Sequence, residues 1–258
     1  MTCKLMGAFA LAALAGTAMA DIEVGAPGLK ASYSLSDTGA FSERTITAGA
    51  RYSNVTTFTG SYYAHGFAAG TTRLTAVAGD DISMTAALNT GNGCTYFEWS
   101  TVNANATAAV TARMRVRFYQ MDGTGGAPGT YITGFSFAAT ALAANSVNLW
   151  YYNPAAGTVN LPQNFWACLT FDTSGGTGTL AQMNNIGQAI FTPPDVGSSQ
   201  DAFFAGNASS DGLVNNPPGT VSWFGGTPTA NFGWEFAPAP SSIALLGLGG
   251  LVAGRRRR

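Results

Sequence analysis

The residues that could do chemistry in this 258-residue chain are few and widely spaced. His65 is the only histidine, so a Ser/His/Asp arrangement has no other imidazole to use as its base. It stands in Tyr62-Tyr63-Ala64-His65-Gly66, and no G-x-S-x-G elbow occurs, so a structural or surface role is expected for it. Glycoside hydrolysis needs two carboxylates that face each other across the scissile bond. Glu98, between Phe97 and Trp99, and Asp172 are the candidates, and a solvated-face position is expected for Glu98. Calcium takes about six to eight oxygen ligands. Asp80-Asp81, Asp122, and the spaced Asp195, Asp201 and Asp211 offer carboxylates, but none follows D-x-D-x-D-G. No cofactor is expected; a structural calcium has room, without ligands that the spacing can name. Trp150 and Trp223 are candidate platforms for a sugar ring, with core packing as the commoner use of such residues.

Those groups must be carried by strands. From Thr107 to Gln120, Val110, Ala112, Met114, Val116 and Phe118 alternate with Thr111, Arg113, Arg115, Arg117 and Tyr119. Period two predicts a strand with one buried and one wet face. Similar segments are expected at 30–36, 44–48, 51–59, 62–67, 72–77, 82–88, 94–102, 131–138, 146–152, 162–172, 187–192, 220–224 and 231–236. Gly79-Asp80-Asp81 reads as a turn, Asp122 to Gly129 as a wide hairpin loop, and the chain after Pro193-Pro194 as loop. No helix of useful length is expected between Asp21 and Phe236. Many short strands with Gly, Pro and Asn turns predict an all-β antiparallel sandwich, jelly-roll-like, with an immunoglobulin-like arrangement as the alternative.

The two ends carry a different message. Residues 1–20 read as a signal peptide: Lys4, an apolar run, then Ala18-Met19-Ala20 as cleavage site. Residues 21–236 form the domain and 237–258 the tail. In the tail, Pro238-Ala239-Pro240 precedes an apolar span at 243–254 (Ile243, Leu245, Leu246, Leu248, Leu251, Val252), and Arg255, Arg256, Arg257 and Arg258 follow. The span is shorter than the about 20 residues of a bilayer-crossing helix, and the arginines favour the cytoplasmic side. An apolar C-terminal helix, held transiently in the inner membrane, is the expectation.

This tail resembles the PEP-CTERM sorting signal, with Ala239 in place of the usual Glu. The segment from Arg113 to Asp172 resembles the sandwich modules of exported proteins of that family. The resemblance implies a Gram-negative envelope or extracellular protein, an exosortase as processing partner, and exopolysaccharide as a neighbour. It implies no enzymatic activity.

Of the 12 basic residues, five (Lys4 and Arg255 to Arg258) lie in the ends. The seven that remain face 13 acidic ones, a formal charge of −6, which argues against nucleic-acid binding. Charged residues make up 10% of the chain, against about a quarter in average domains. In an oxidising compartment Cys94 and Cys168 are a disulfide candidate, which would stabilise by roughly 3–5 kcal/mol. Two buried free thiols are the alternative.

Overall fold

The structure is a computed structural model that describes residues 20–41, 44–66, 74–89, 93–206 and 216–238. The strands, in chain order, are β1 (Ile22–Val24), β2 (Gly28–Ser34), β3 (Gly39–Ala40), β4 (Tyr52–Ser53), β5 (Thr57–Ala64), β6 (Val77–Ser83), β7 (Cys94–Asn103) and β8 (Val110–Tyr119). They continue with β9 (Tyr131–Phe137), β10 (Thr140–Leu142), β11 (Ser146–Tyr152), β12 (Asn164–Asp172), β13 (Ile186–Phe191), β14 (Ala202–Gly206), β15 (Gly219–Trp223) and β16 (Trp234–Pro238). A short helix, α1 (Leu180–Met183), is closed at its start by a Thr179/Gln182 capping box.

Two sheets pack face to face. One contains the order β6-β12-β8-β9 and the other β5-β13-β7-β11. From β5 to β8 each strand lies in the opposite sheet to the one before. The β8–β9 hairpin is the turning point, and β11, β12 and β13 then alternate back between the sheets. This is the double-sheet arrangement of a jelly roll, whose two Greek keys follow from that alternation. Extra strands widen it: β14 and β15 beyond β6, β2 beyond β11, β3 beyond β5, and β16 beside β7. The pairing is antiparallel except at one edge, where β1 runs parallel to β9.

The alternation in β8 puts Val110, Ala112, Met114, Val116 and Phe118 into the inter-sheet core, all fully buried. Phe118 meets Phe97, Phe165 and Phe236 edge to face, at ring-centre distances of 5.4, 5.8 and 5.5 Å. Such pairs add about 0.5–1.5 kcal/mol each beyond the area they bury. On the other face Arg113 pairs with Glu23, Arg115 with Asp172, and Arg117 with Asp21. The only basic cluster of the domain is thus matched, arginine by arginine, with carboxylates from β12 and the N-terminal segment.

Several elements differ from expectation. Gly79-Asp80-Asp81 is the middle of β6, buried between β12 and β14, not a turn. Glycine is needed there because a Cβ on Gly79 would lie 2.4 Å from Cys168 Sγ. Residues 44–47 form no strand, and β14 occupies the stretch read as loop. The expected strand at 51–59 divides into β4 and the start of β5. The last strand runs two residues past Phe236, with Pro238 in register with Cys94.

The cysteines are not bridged: both are free and buried. Cys94 belongs to the inter-sheet core, whereas Cys168 sits with Tyr119 and Trp166 on the outer face of its sheet. In β12 Ala167 and Leu169 point inward, so the intervening Cys168 must point out, and the sheet separates the two sulfurs. Burial pushes the Cys94 thiol up to about 12 and the Cys168 thiol up as well. Ala18, Ala239, Pro240, the apolar span 243–254 and Arg255 to Arg258 lie outside the described residues. Among the described residues no helix is long and apolar enough to cross a membrane.

Candidate functional site

A concave polar feature lies where β14 stops pairing with β6. Pairing of β14 to β6 ends at Asp80, opposite Phe203. Beyond that point the segment at 198–200 takes over the edge, with reciprocal bonds of 2.9 Å between the Ser83 and Ser198 backbones. A cavity of about 470 Å3 opens there, lined by Asp81, Ser83, Met121, Asn164, Ser199 and Gln200 among others.

Two consecutive carboxylates wrap this edge. A strand sends successive side chains to opposite faces. Asp80 points between the sheets, where its Oδ2 accepts from the Phe232 backbone N–H at 2.8 Å. Asp81 points to the outer face, where both oxygens accept from the Gln200 N–H at 3.2 Å. They meet again at one atom: Ser199 Oγ lies 2.9 Å from Asp80 Oδ1 and 3.2 Å from Asp81 Oδ1. Burial, with the neighbouring Asp81 charge second, pushes the Asp80 carboxyl well above its usual range. Burial also raises Asp81, to about 6, against the pull of its bonds to Gln200 and Ser199. The Tyr52 hydroxyl, fully buried, is within reach of Ser199, but the pair falls short of full hydrogen-bond geometry. Burial and then the Asp80 and Asp81 charges hold its pKa well up, against the downward pull of Ser199.

Glu98 is not on a solvated face. It is fully buried under Arg44, accepts from the Tyr96 hydroxyl at 2.6 Å, and lies 3.4 Å from Lys30 Nζ. Burial raises its carboxyl, opposed first by Arg44. Its register partner on β16 is Glu235, which has donors of its own: Ser53 Oγ at 2.7 Å and the Thr47 N–H at 3.1 Å. This network ties residues 44–53 onto the outer face of β7 and β16. Phe97 and Trp99 point into the core, so Glu98 points away from it. Asp172 does the same on the other sheet, beside the inward Phe171. The two carboxylates therefore stand on opposite outer faces of the sandwich and cannot flank one glycosidic bond.

His65 is a structural imidazole, 4% exposed between Tyr63 and Phe171. Burial lowers its pKa to about 3, with the Ala76 backbone and Gln188 opposing. Trp150 is no sugar platform: it is 4% exposed in the core and donates to Thr101 Oγ1 at 2.8 Å. Trp223 is different, at 64% exposed on the edge strand β15. No group of three or more His, Cys, Asp or Glu side chains comes together among the described residues.

Sequence reasoning named Asp80 and Asp81 but put them in a turn, and it missed Tyr52, Ser199 and Gln200. The usable signal was Val77-Ala78 before and Ile82 after, an apolar run that Gly-Asp-Asp interrupts. No family model, curated protein or solved structure matches this chain.

Proposed function

We propose that this chain is an exported, non-enzymatic jelly-roll protein of the Gram-negative envelope or extracellular matrix, sorted and processed through its C-terminal tail. The order of the tail carries the reading: Pro238-Ala239-Pro240, an apolar span, then four arginines at the end, paired with a signal-peptide pattern at the start. The body is compatible with both cuts. Asp21, which would begin the mature chain, is held at 2.7–3.0 Å by three bonds from the Arg117 guanidinium. At the other end Pro238, the first residue of the motif, lies in register with Cys94 of β7. The candidate catalytic groups support a non-enzymatic body: Glu98 and Asp172 are separated by the sandwich, and His65 is enclosed by aromatics.

The mechanism is physical. The signal peptide directs export, the apolar span arrests in the inner membrane, and the arginines stay on the cytoplasmic side until an exosortase cuts. Deleting residues 243–258 should move the protein from the membrane fraction to the soluble periplasmic or extracellular fraction. Unchanged membrane association of the truncated chain sinks the proposal.

The exposure of Trp223 favours a second reading, a carbohydrate-binding module acting on exopolysaccharide. Binding on a glycan array that Trp223→Ala abolishes supports it; silence on a broad array counts against it.

A further inference from the structure

We propose that Asp80, Asp81, Ser199, Tyr52 and the Gln200 carbonyl form a binding site for a hard divalent cation, calcium by its chemistry, reached through the adjoining cavity. This inference does not depend on the export reading.

The first ground is a crowd of acceptor oxygens around one hydroxyl. Ser199 Oγ touches three acceptors: Asp80 Oδ1 at 2.9 Å, Asp81 Oδ1 at 3.2 Å and the Gln200 carbonyl at 3.2 Å. A hydroxyl has one proton to donate, so the cluster holds more acceptor oxygens than Ser199 can serve. The second ground is independent. The Tyr52 hydroxyl is buried within reach of Ser199 in the same group, and no contact it makes among the described residues reaches full hydrogen-bond geometry. A buried polar atom left without a partner is costly, so a site that would use it is a specific signal.

The third ground is charge. Two carboxylates on adjacent, buried positions need neutralising. The described cations are placed elsewhere. Arg113, Arg115 and Arg117 pair with Glu23, Asp172 and Asp21, Arg44 and Lys30 lie on Glu98, and Arg51 is exposed. What faces Asp80 and Asp81 from the packed elements is neutral: the N–H groups of Phe232 and Gln200 and the hydroxyls of Ser199 and Tyr52.

The donor set selects the ion. It is all oxygen, from carboxylate, hydroxyl and carbonyl, and it is irregular. Calcium accepts irregular oxygen cages and waters, whereas magnesium demands a near-ideal octahedron. Copper, zinc and nickel favour nitrogen and sulfur ligands. Asp81 and Ser199 line both the site and the cavity, which supplies access and space for waters. With only two charged ligands the affinity belongs with extracellular calcium modules, with Kd about 10⁻⁴–10⁻³ M.

The test is thermal unfolding of the full-length protein after EDTA treatment, with calcium, magnesium or ionic-strength-matched potassium chloride added. For a Kd near 0.5 mM, 10 mM calcium should raise Tm by about 4–7 °C over the potassium control. Magnesium should do less. Asp81→Asn removes a ligand charge without removing bulk and should fold in EDTA, yet lose the calcium response. Asp80→Asn should lose it too, and Tyr52→Phe should weaken it. Any one of three results overturns the site: no calcium shift beyond potassium in the wild type, the same shift in Asp81→Asn, or stabilisation by acid alone with no calcium response. The last would mean that the carboxylates share protons instead.

Discussion

Replacing Asp81 by Asn should make the metal-free protein more stable at neutral pH, and the structure gives the size of the effect. Burial raises this carboxyl from its ordinary 3.8 to about 6. The folded state therefore holds the Asp81 proton more tightly than the unfolded chain does. Linkage then makes the Asp81 contribution most favourable below about pH 4, and it falls as pH rises through 6. A rise of that size costs the ionised, folded protein roughly 3 kcal/mol at pH 7. Asn keeps an oxygen for the Gln200 N–H and adds an amide N–H2 toward the acceptor oxygens around Ser199. For a domain of this size the gain corresponds to roughly 6–12 °C in Tm. His65 titrates in the opposite sense. Its pKa of about 3 lies below the ordinary 6.5, so its contribution is lost as pH falls from 6.5 toward 3. Both proteins contain His65, so the difference between them removes it. The assay is circular-dichroism melting in EDTA at pH 4, 5, 6 and 7. The difference should be near zero at pH 4 and grow to its full value by pH 7. A difference that does not change with pH would refute the reasoning, because it would mean that Asp81 is not strained by ionisation.

Three further outcomes follow from the packing. Thiol titration of the denatured, unreduced chain should find Cys94 and Cys168 both reactive, and reductant should leave the Tm of the folded protein unchanged; a loss of stability on reduction would show a bridge. Trp223→Ala should change stability by no more than about 0.5 kcal/mol, since the side chain is 64% exposed, whereas Trp99→Ala, at 0% exposed, should cost about 3–5 kcal/mol in urea unfolding. Gly187→Ala should cost more than about 3 kcal/mol or prevent folding, because its Cβ would lie 1.8 Å from the Tyr63 carbonyl in the paired strand; normal stability would show that β13 and β5 can separate at that point.

The sequence by itself determined the local facts. Period-two alternation in β8 announced which side chains enter the core, because a strand has no other way to direct successive side chains. β11 was readable from its aromatic run and β12 from its apolar one, and turn residues marked the hairpin loop after Asp122 and the all-β class. The order of the tail at 237–258, with Pro238-Ala239-Pro240, an apolar span and four arginines, is likewise a linear feature. Alternation fails where both faces of a strand are covered. β6 and β12 are buried on each side, so Gly79-Asp80-Asp81 lost the polar-out pattern that would have marked it as strand. Only the tertiary structure brought Ser199 and Tyr52 to Asp80 and Asp81, across more than a hundred residues in the case of Ser199. The same is true of Arg44 over Glu98, of Glu98 and Asp172 on opposite faces, and of the sheet between Cys94 and Cys168. These depend on which strands pair and what covers their outer faces. That is decided by burial of the whole inter-sheet core, a quantity no local window contains.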